Sequence, residues 1–322
     1  MTDSDRKVLV VYNDAFKPDK EYLERLIHSF GFSCNIKHTK DSIEDDYKDA
    51  EIVIGQPNRK YFKRAERLKW VQLTSAGADH LADESLYAQD SVILTNASGV
   101  YGKPIAEHVF AMILSFNRNL IQYERNRQKS EWHPVLPMRD LHGSTIGIMG
   151  LGDIGKEVAI RAKAFEARVL AVKRTPGQCP SYVDELYSND EIDRVLSQAD
   201  YLVLALPNTP ETKGILSAEK IARLKPNSFV VNVGRGTAIC QEALIKALQE
   251  QRIAGAGLDV TDPEPLPADN PLWKMPNVII TSHTSGFSTA NWSRHAILIK
   301  ENLSRYSEGR PLINQVDFLK RY

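Results

Sequence analysis

The sequence predicts an α/β protein with two doubly wound parallel-sheet domains. Three observations point there. Short β-branched runs alternate with amphipathic stretches along the 322 residues, the pattern of repeated βα units. The runs are mostly apolar at successive positions, as strands covered by helices on both faces must be. The length corresponds to about two domains of ordinary size, and 42% hydrophobic with 25% charged residues is an ordinary globular balance.

Taken in order, residues 7–12, 51–54, 70–73 and 92–94 read as strands. Residues 19–30 read as a helix, with Leu23, Leu26, Ile27 and Phe30 on one face and Gly31 as its stop. One long helix is expected over 103–127, apolar in its first half and polar in its second, with Pro104 in the first turn. Further strands are expected at 145–149, 168–172, 201–205, 229–233, 253–258 and 278–281, with a helix at 154–165 after the first of them. Four prolines in 261–271 exclude a helix or central strand there. Residues 288–306 read as a final helix. The order suggests an interrupted domain: 1–101 with 290–322 as one lobe and 102–289 as the other, with a cleft as the natural ligand site.

Forty-one basic residues balance forty-one acidic ones, so neither nucleic acid nor an anionic membrane is an expected partner. Cys34, Cys179 and Cys240 are few, scattered and odd in number, which argues against a disulfide framework. None adjoins a Cys or His, and no metal is expected. No signal-peptide-like segment and no apolar run of about 18 residues is seen; a reducing cytoplasm is the expected location.

Gly150-Leu-Gly152-Asp153-Ile154-Gly155 follows a strand and opens a helix. In that setting Gly-x-Gly-x-x-Gly is a dinucleotide fingerprint of the Rossmann type. The first glycine makes the turn, the second lets a pyrophosphate approach, and the third lets helix and strand pack. The next strand ends Ala171-Val172-Lys173-Arg174-Thr175. NAD sites place an acid there for the ribose 2′-hydroxyl. Cations in its place suit a 2′-phosphate, so NADP(H) is the preferred cofactor, with NAD(H) possible.

Three polar residues each follow a late apolar run: Arg235 in Val-Asn-Val-Gly-Arg-Gly, Glu264 in Asp-Pro-Glu-Pro, and His283 in Thr-Ser-His-Thr-Ser-Gly. Reduction of a 2-keto acid needs a hydride, a proton for the nascent alkoxide, and a cation for the carboxylate. His283 can be the acid, with free imidazole near pKa 6.5 and Glu264 as the carboxylate that favours its charged form. Arg235 can bind the acid and polarise the keto oxygen. His28, His38 and His142 read as solvated, and His80, His108, His133 and His295 lack a comparable setting.

Together these pieces resemble the D-isomer-specific 2-hydroxyacid dehydrogenases. The match runs through 141–155, Ala205-Leu-Pro-Asn-Thr-Pro-Glu-Thr212, Val231–Gly236, Leu258–Pro265 and the His283 segment, and takes in Trp70-Val-Gln-Leu-Thr-Ser-Ala-Gly-Ala-Asp-His80. It is nearest the glyoxylate/hydroxypyruvate reductase-like branch. The resemblance implies a flavodoxin-like substrate domain beside the nucleotide domain. It implies that the N–H groups of Ser75, Ala76, Gly77 and Ala78 grip the substrate carboxylate and that Asp259 lies near the nicotinamide carboxamide. Leu206, Pro207, Thr212, Val233 and Gly234 would line the cofactor cleft, with Ser285 and Gly286 also contacting the cofactor. The product would be a D-2-hydroxy acid, and the 103–127 helix would serve a homodimer. Alternatives are a phosphoglycerate-dehydrogenase-like enzyme using NAD, and a non-enzymatic dinucleotide-sensing corepressor. Formate dehydrogenases share the layout but pair the histidine with Gln, where Glu264 stands here.

Two positions depart from the family pattern. Lys173 occupies the usual acid position. Glu166 occupies a turn where glycine is usual, so it must avoid the left-handed backbone region or be strained there.

Overall fold

The computed structural model describes residues 6–320, and the chain divides into two compact units. One holds the described residues up to Tyr101 and those from Phe287 onward; the other is Gly102–Gly286.

In the first unit β1 (Lys7–Tyr12), β2 (Ser33–His38), β3 (Ala50–Gly55), β4 (Trp70–Leu73) and β5 (Ile93–Thr95) form a sheet in the order β2-β1-β3-β4-β5. All pairs are parallel, and this is the flavodoxin-like order. The helices α1 (Lys20–Ser29) and α2 (Glu44–Lys48) connect its first three strands. Asp19 caps α1 by accepting the N–H of Tyr22 at 3.0 Å, and Leu23, Leu26 and Ile27 bury its apolar stripe.

A helix at Asn291–Ser307 returns to this unit. Its Asn302 donates to Gln72 Oε1 at 2.8 Å, and Thr95 Oγ1 donates to the same oxygen at 3.0 Å. Trp70 Nε1 donates to Thr95 Oγ1 at 2.8 Å, while the Trp70 ring stacks on Tyr306. Gln72, Thr95 and Asn302 are fully buried. Leaving any of these polar groups unpaired would cost about 1–3 kcal/mol, so the network ties the end of the chain to the first sheet.

The second unit begins with α3 (Gly102–Asn117) and α4 (Leu120–Gln128). The single helix expected over 103–127 is therefore two. Asn119 breaks it by adopting φ 54°, ψ 32°, a left-handed conformation that Asn tolerates better than most residues. Its side chain donates to the carbonyls of Val135 and Pro137, which fixes the break. The elements β6 (Thr145–Met149), α5 (Asp153–Ala164), β7 (Arg168–Val172) and β8 (Glu185–Tyr187) follow. They lead into α6 (Ile192–Leu196), β9 (Tyr201–Leu204), α7 (Ala218–Ile221), β10 (Phe229–Asn232), α8 (Gln241–Gln249), β11 (Gly255–Leu258) and β12 (Val278–Ile280). The seven strands are parallel in the order β12-β11-β10-β9-β6-β7-β8. The winding reverses between β6 and β9, which is the switch point where such sheets bind ligands. Two parallel sheets with connecting helices are thus the architecture the sequence predicts. Among the described residues, no helix is long and apolar enough to cross a membrane.

Glu166 sits at φ 58°. It follows α5 in a Schellman cap: Ala167 N–H bonds Ala162 O at 3.1 Å and Glu166 N–H bonds Lys163 O at 3.0 Å. The cap requires the left-handed conformation, at about 1–2 kcal/mol for a residue with a side chain. Among the described residues its nearest partner is His142, with Nδ1 at 3.6 Å and both side chains exposed, a contact worth little. Glu166→Gly is expected to stabilise the protein by about 0.5–1 kcal/mol after the entropy cost of glycine, read as a rise of a few degrees in the unfolding midpoint. An unchanged or lower midpoint would show that the cap is not strained.

Candidate active site

Every residue assigned to the cofactor or the reaction in the second unit lies beyond the carboxyl end of a strand. The Gly150–Gly155 turn follows β6, Lys173, Arg174 and Thr175 follow β7, and Leu206, Pro207 and Thr212 follow β9. Val233, Gly234 and Arg235 follow β10, Asp259 and Glu264 follow β11, and His283, Ser285 and Gly286 follow β12. Because the strands are parallel and neighbours lie about 4.8 Å apart, one edge of the sheet gathers them.

The three fingerprint glycines do different work. Gly150 has φ 98°, and a methyl on it would sit 2.7 Å from Ala205 O. A methyl on Gly155 would overlap Gly150 O. Around Gly152 nothing lies within 4 Å of where a methyl would stand. The outer two therefore serve protein packing, and the middle one leaves open space. It opens the N-terminus of α5, whose N-cap makes no side-chain hydrogen bond. Orphan N–H groups beside open space fit a pyrophosphate. Asp153 accepts the N–H of Gly102 at 2.9 Å, tying this turn to the start of α3. Lys173, Arg174 and Thr175 are exposed.

Gly234 lets the loops after β9 and β10 meet: a methyl there would stand 2.6 Å from both N and O of Leu206. Thr212 Oγ1 donates to Pro207 O at 2.6 Å, which folds the β9 loop on itself. The turn that carries Arg235 is bracketed by Asn232, a buried residue. Its Nδ2 donates to Arg235 O at 2.9 Å and its Oδ1 accepts Gly234 N–H at 3.1 Å. Arg235 Nη1 donates to Gly234 O at 2.9 Å.

His283 Nδ1 and Glu264 Oε2 are 2.9 Å apart. Glu264 Oε1 in turn accepts Thr261 N–H at 3.1 Å. His283 is held at φ 54°, and its N–H donates to Asp259 O at 2.8 Å. A left-handed backbone persists only where its surroundings enforce it. Here Asp259 does so: its Oδ1 accepts Thr281 Oγ1–H at 2.6 Å and Thr284 N–H at 2.9 Å, and Ser285 N–H reaches both oxygens at 3.2 Å. Burial pushes the Asp259 carboxyl up, but the Ser285, Thr281 and backbone donors outweigh it and hold the group below the usual carboxylate range. Asp259 is 2% exposed, and its visible work is to anchor the segment that carries His283.

Arg235 joins this pair through its neighbour. A methyl on Gly236 would overlap the backbone carbonyl of Thr261 and sit 2.7 Å from Asp262 N, so the Arg235 and Glu264 loops touch there. Asn232, Gly236 and Thr281 carry no motif of their own in the sequence; a lone Asn closing the apolar run of β10 is the one available signal.

Ser75–Ala78 belong to the first unit, in the loop after β4. Among the described residues, none of these four N–H groups donates within the protein, while Ser75 O accepts Ala97 N–H at 2.9 Å and Ser75 Oγ donates to Gly77 O at 2.8 Å. The loop is thus fixed by its acceptors and offers its donors. In the same unit Tyr101 Oη bonds Thr74 O and lies 3.1 Å from His295 Nε2; burial lowers the His295 pKa to about 4. Among the described residues no group of three His, Cys, Asp or Glu could hold a metal ion.

Residues 110–285 match the family described as D-isomer specific 2-hydroxyacid dehydrogenase, NAD binding domain. A glyoxylate reductase of Korarchaeum cryptofilum is 34% identical over 285 residues, covering 85% of this chain and 82% of its own. A D-isomer specific 2-hydroxyacid dehydrogenase family protein of Aeromonas salmonicida has a structure at TM-score 0.86 and 33% identity, covering 98% of this chain and all of its own. An NADPH-dependent glyoxylate/hydroxypyruvate reductase of Sinorhizobium meliloti, solved with NADP and sulfate, follows at TM-score 0.82 and 27% identity, over 98% of this chain and all of that one.

Proposed function

Because the chain belongs to the D-isomer-specific 2-hydroxyacid dehydrogenases, we propose that it reduces a small 2-keto acid of the glyoxylate or hydroxypyruvate type to the D-2-hydroxy acid, with NADPH as its preferred donor. The observation that carries this reading is the 2.9 Å contact between His283 Nδ1 and Glu264 Oε2. Glu264 holds the imidazole by one nitrogen, which leaves Nε2 to deliver the proton to the substrate oxygen. NADPH, when bound, supplies the hydride from its nicotinamide ring. Arg235 orients the substrate carboxylate and polarises the keto group, and the N–H groups of Ser75–Ala78 bind that carboxylate. In the reverse direction His283 accepts the proton. Two relatives, one named glyoxylate reductase and one glyoxylate/hydroxypyruvate reductase, support the substrate class.

Cofactor choice rests on Lys173 and Arg174, which stand where an acid would select NAD. The 2′-phosphate of NADPH would gain charge-assisted hydrogen bonds from them, worth about 1.5–3 kcal/mol each. The expected result is a higher kcat/KM with NADPH than with NADH, and a shift toward NADH of about 10–100-fold in Lys173→Asp. Steady-state rates over a panel of 2-keto acids with both nucleotides test the whole proposal. Preference for NADH in the wild type would overturn the cofactor assignment. NADPH binding without turnover of any keto acid would favour dinucleotide sensing instead.

A further inference from the structure

We infer that His108, on α3, is a positioning residue for the reaction centre, acting through Thr281 and Asp259 on the backbone that carries His283. The inference deepens the proposed function and rests on it only for the role of His283.

The helix α3 lies along β11 in a matched stripe. Phe116, Met112 and His108 follow one another at helical spacing of four, and Gly255, Gly257 and Asp259 at strand spacing of two. Four helical residues rise about 6 Å and two strand residues about 6.7 Å, so the two series stay in step. A methyl on Gly255 would meet the Phe116 ring at 2.9 Å, and one on Gly257 would meet Met112 Sδ at 2.8 Å and its Cβ at 3.2 Å. His108 Nε2 then stands 4.0 Å from Asp259 Oδ1 and 3.0 Å from Thr281 Oγ1. The glycines let the helix sit close, and the stripe delivers the imidazole to the end of the strand.

The hydrogen bonds there have one consistent direction. Asp259, ionised, only accepts. Thr281 has one hydroxyl proton, and the 2.6 Å contact commits it to Asp259. Thr281 Oγ1 must therefore accept from His108, which fixes the His108 tautomer with its proton on Nε2. His108 N–H orients the Thr281 hydroxyl, the hydroxyl completes the donor set of Asp259, and Asp259 holds the N–H groups of residues 283–285 through its carboxylate and carbonyl. That anchoring keeps His283 in its left-handed conformation, from which it meets Glu264.

The test compares His108→Leu, which removes the donor, with His108→Gln, which can restore it at nearly the same place. Thr281→Val, close in volume, breaks the same chain one link further on. Two readouts are taken: kcat and KM for keto-acid reduction, and the His283 imidazole resonances in the cofactor-free protein. His108→Leu and Thr281→Val are expected to lower kcat about tenfold, the scale of one lost hydrogen bond, with less change in the substrate KM, and to shift the His283 resonances. His108→Gln should bring both back toward wild type. If the Leu variant does not fold, Thr281→Val alone decides. Wild-type kcat and wild-type His283 resonances in Thr281→Val would overturn the inference, as would a Gln variant no better than Leu. The resonances are read without turnover, so they test the positioning even if His283→Ala were to retain activity and retire the proton-donor assignment.

Discussion

His283→Ala is expected to lower the turnover of keto-acid reduction by roughly 10²–10⁴-fold, the range typical of a lost general acid. Binding should suffer less than turnover, because Arg235 and the Ser75–Ala78 N–H groups remain. The geometry makes the variant informative. With Nδ1 engaged by Glu264, no atom other than Nε2 of that ring is free to transfer a proton. His283 is also at φ 54°, so a change there alters backbone cost along with chemistry. His283→Asn separates the two: Asn tolerates the left-handed region and cannot act as the acid. Loss of turnover in both variants, with unfolding midpoints close to wild type for Asn, assigns the effect to proton transfer. Near-wild-type kcat in either would remove His283 from the mechanism.

The fold was legible where burial leaves a hydrophobic signature. Lys7–Tyr12, Trp70–Leu73, Thr145–Met149 and Arg168–Val172 are strands at the positions the apolar runs predict. Ser33–His38 is also a strand but was not expected, because Ser-Cys-Asn-Ile-Lys-His is an edge strand whose residues are none of them fully buried. Glu185–Tyr187 is the edge at the other sheet and only three residues long. Edge strands owe their conformation to one neighbour and need no apolar face. The break at Asn119 was hidden for a different reason: helical periodicity continues across it, and the carbonyls that hold its side chain come from residues 135 and 137.

The site divides the same way. Glycines within a strand–turn–helix unit announce themselves, since their spacing is the chemistry. Glu264 and His283 are 19 positions apart, and what marks them is their place after successive strands, which parallel pairing brings side by side. The support beneath them left no such trace. His108 and Thr281 are 173 positions apart, and neither type is unusual on a helix or at a strand end. Their partnership follows from the stripe of Phe116, Met112 and two glycines, a register that appears only once helix and strand are packed. Asp259 was assigned to the nicotinamide by resemblance; its donors from Thr281, Thr284 and Ser285 show a structural task that the resemblance did not announce.

Gly236→Ala is expected to lower kcat/KM by about 100-fold or more and to destabilise the second unit by about 1–3 kcal/mol. The added methyl would overlap the carbonyl of Thr261 and lie 2.7 Å from Asp262 N, against the 3.5–4.0 Å of an ordinary contact. These are backbone atoms, so no rotamer change relieves the clash. Either the Arg235 turn or the 259–264 loop must move by more than an ångström. The Arg235 turn is pinned by both ends of the buried Asn232 amide. The other loop is the softer side at its exposed residues 262–264, and Thr261 beside them donates to the carboxylate that holds His283. The displacement should therefore reach the imidazole, and misplacement by about 1 Å is enough to cost 100-fold. Gly177→Ala, where nothing lies within 4 Å, is the control for a methyl without a clash and should leave both quantities unchanged. Lowered stability with unchanged kcat/KM in Gly236→Ala would mean that the Arg235 turn gives way instead and that Arg235 is dispensable for binding.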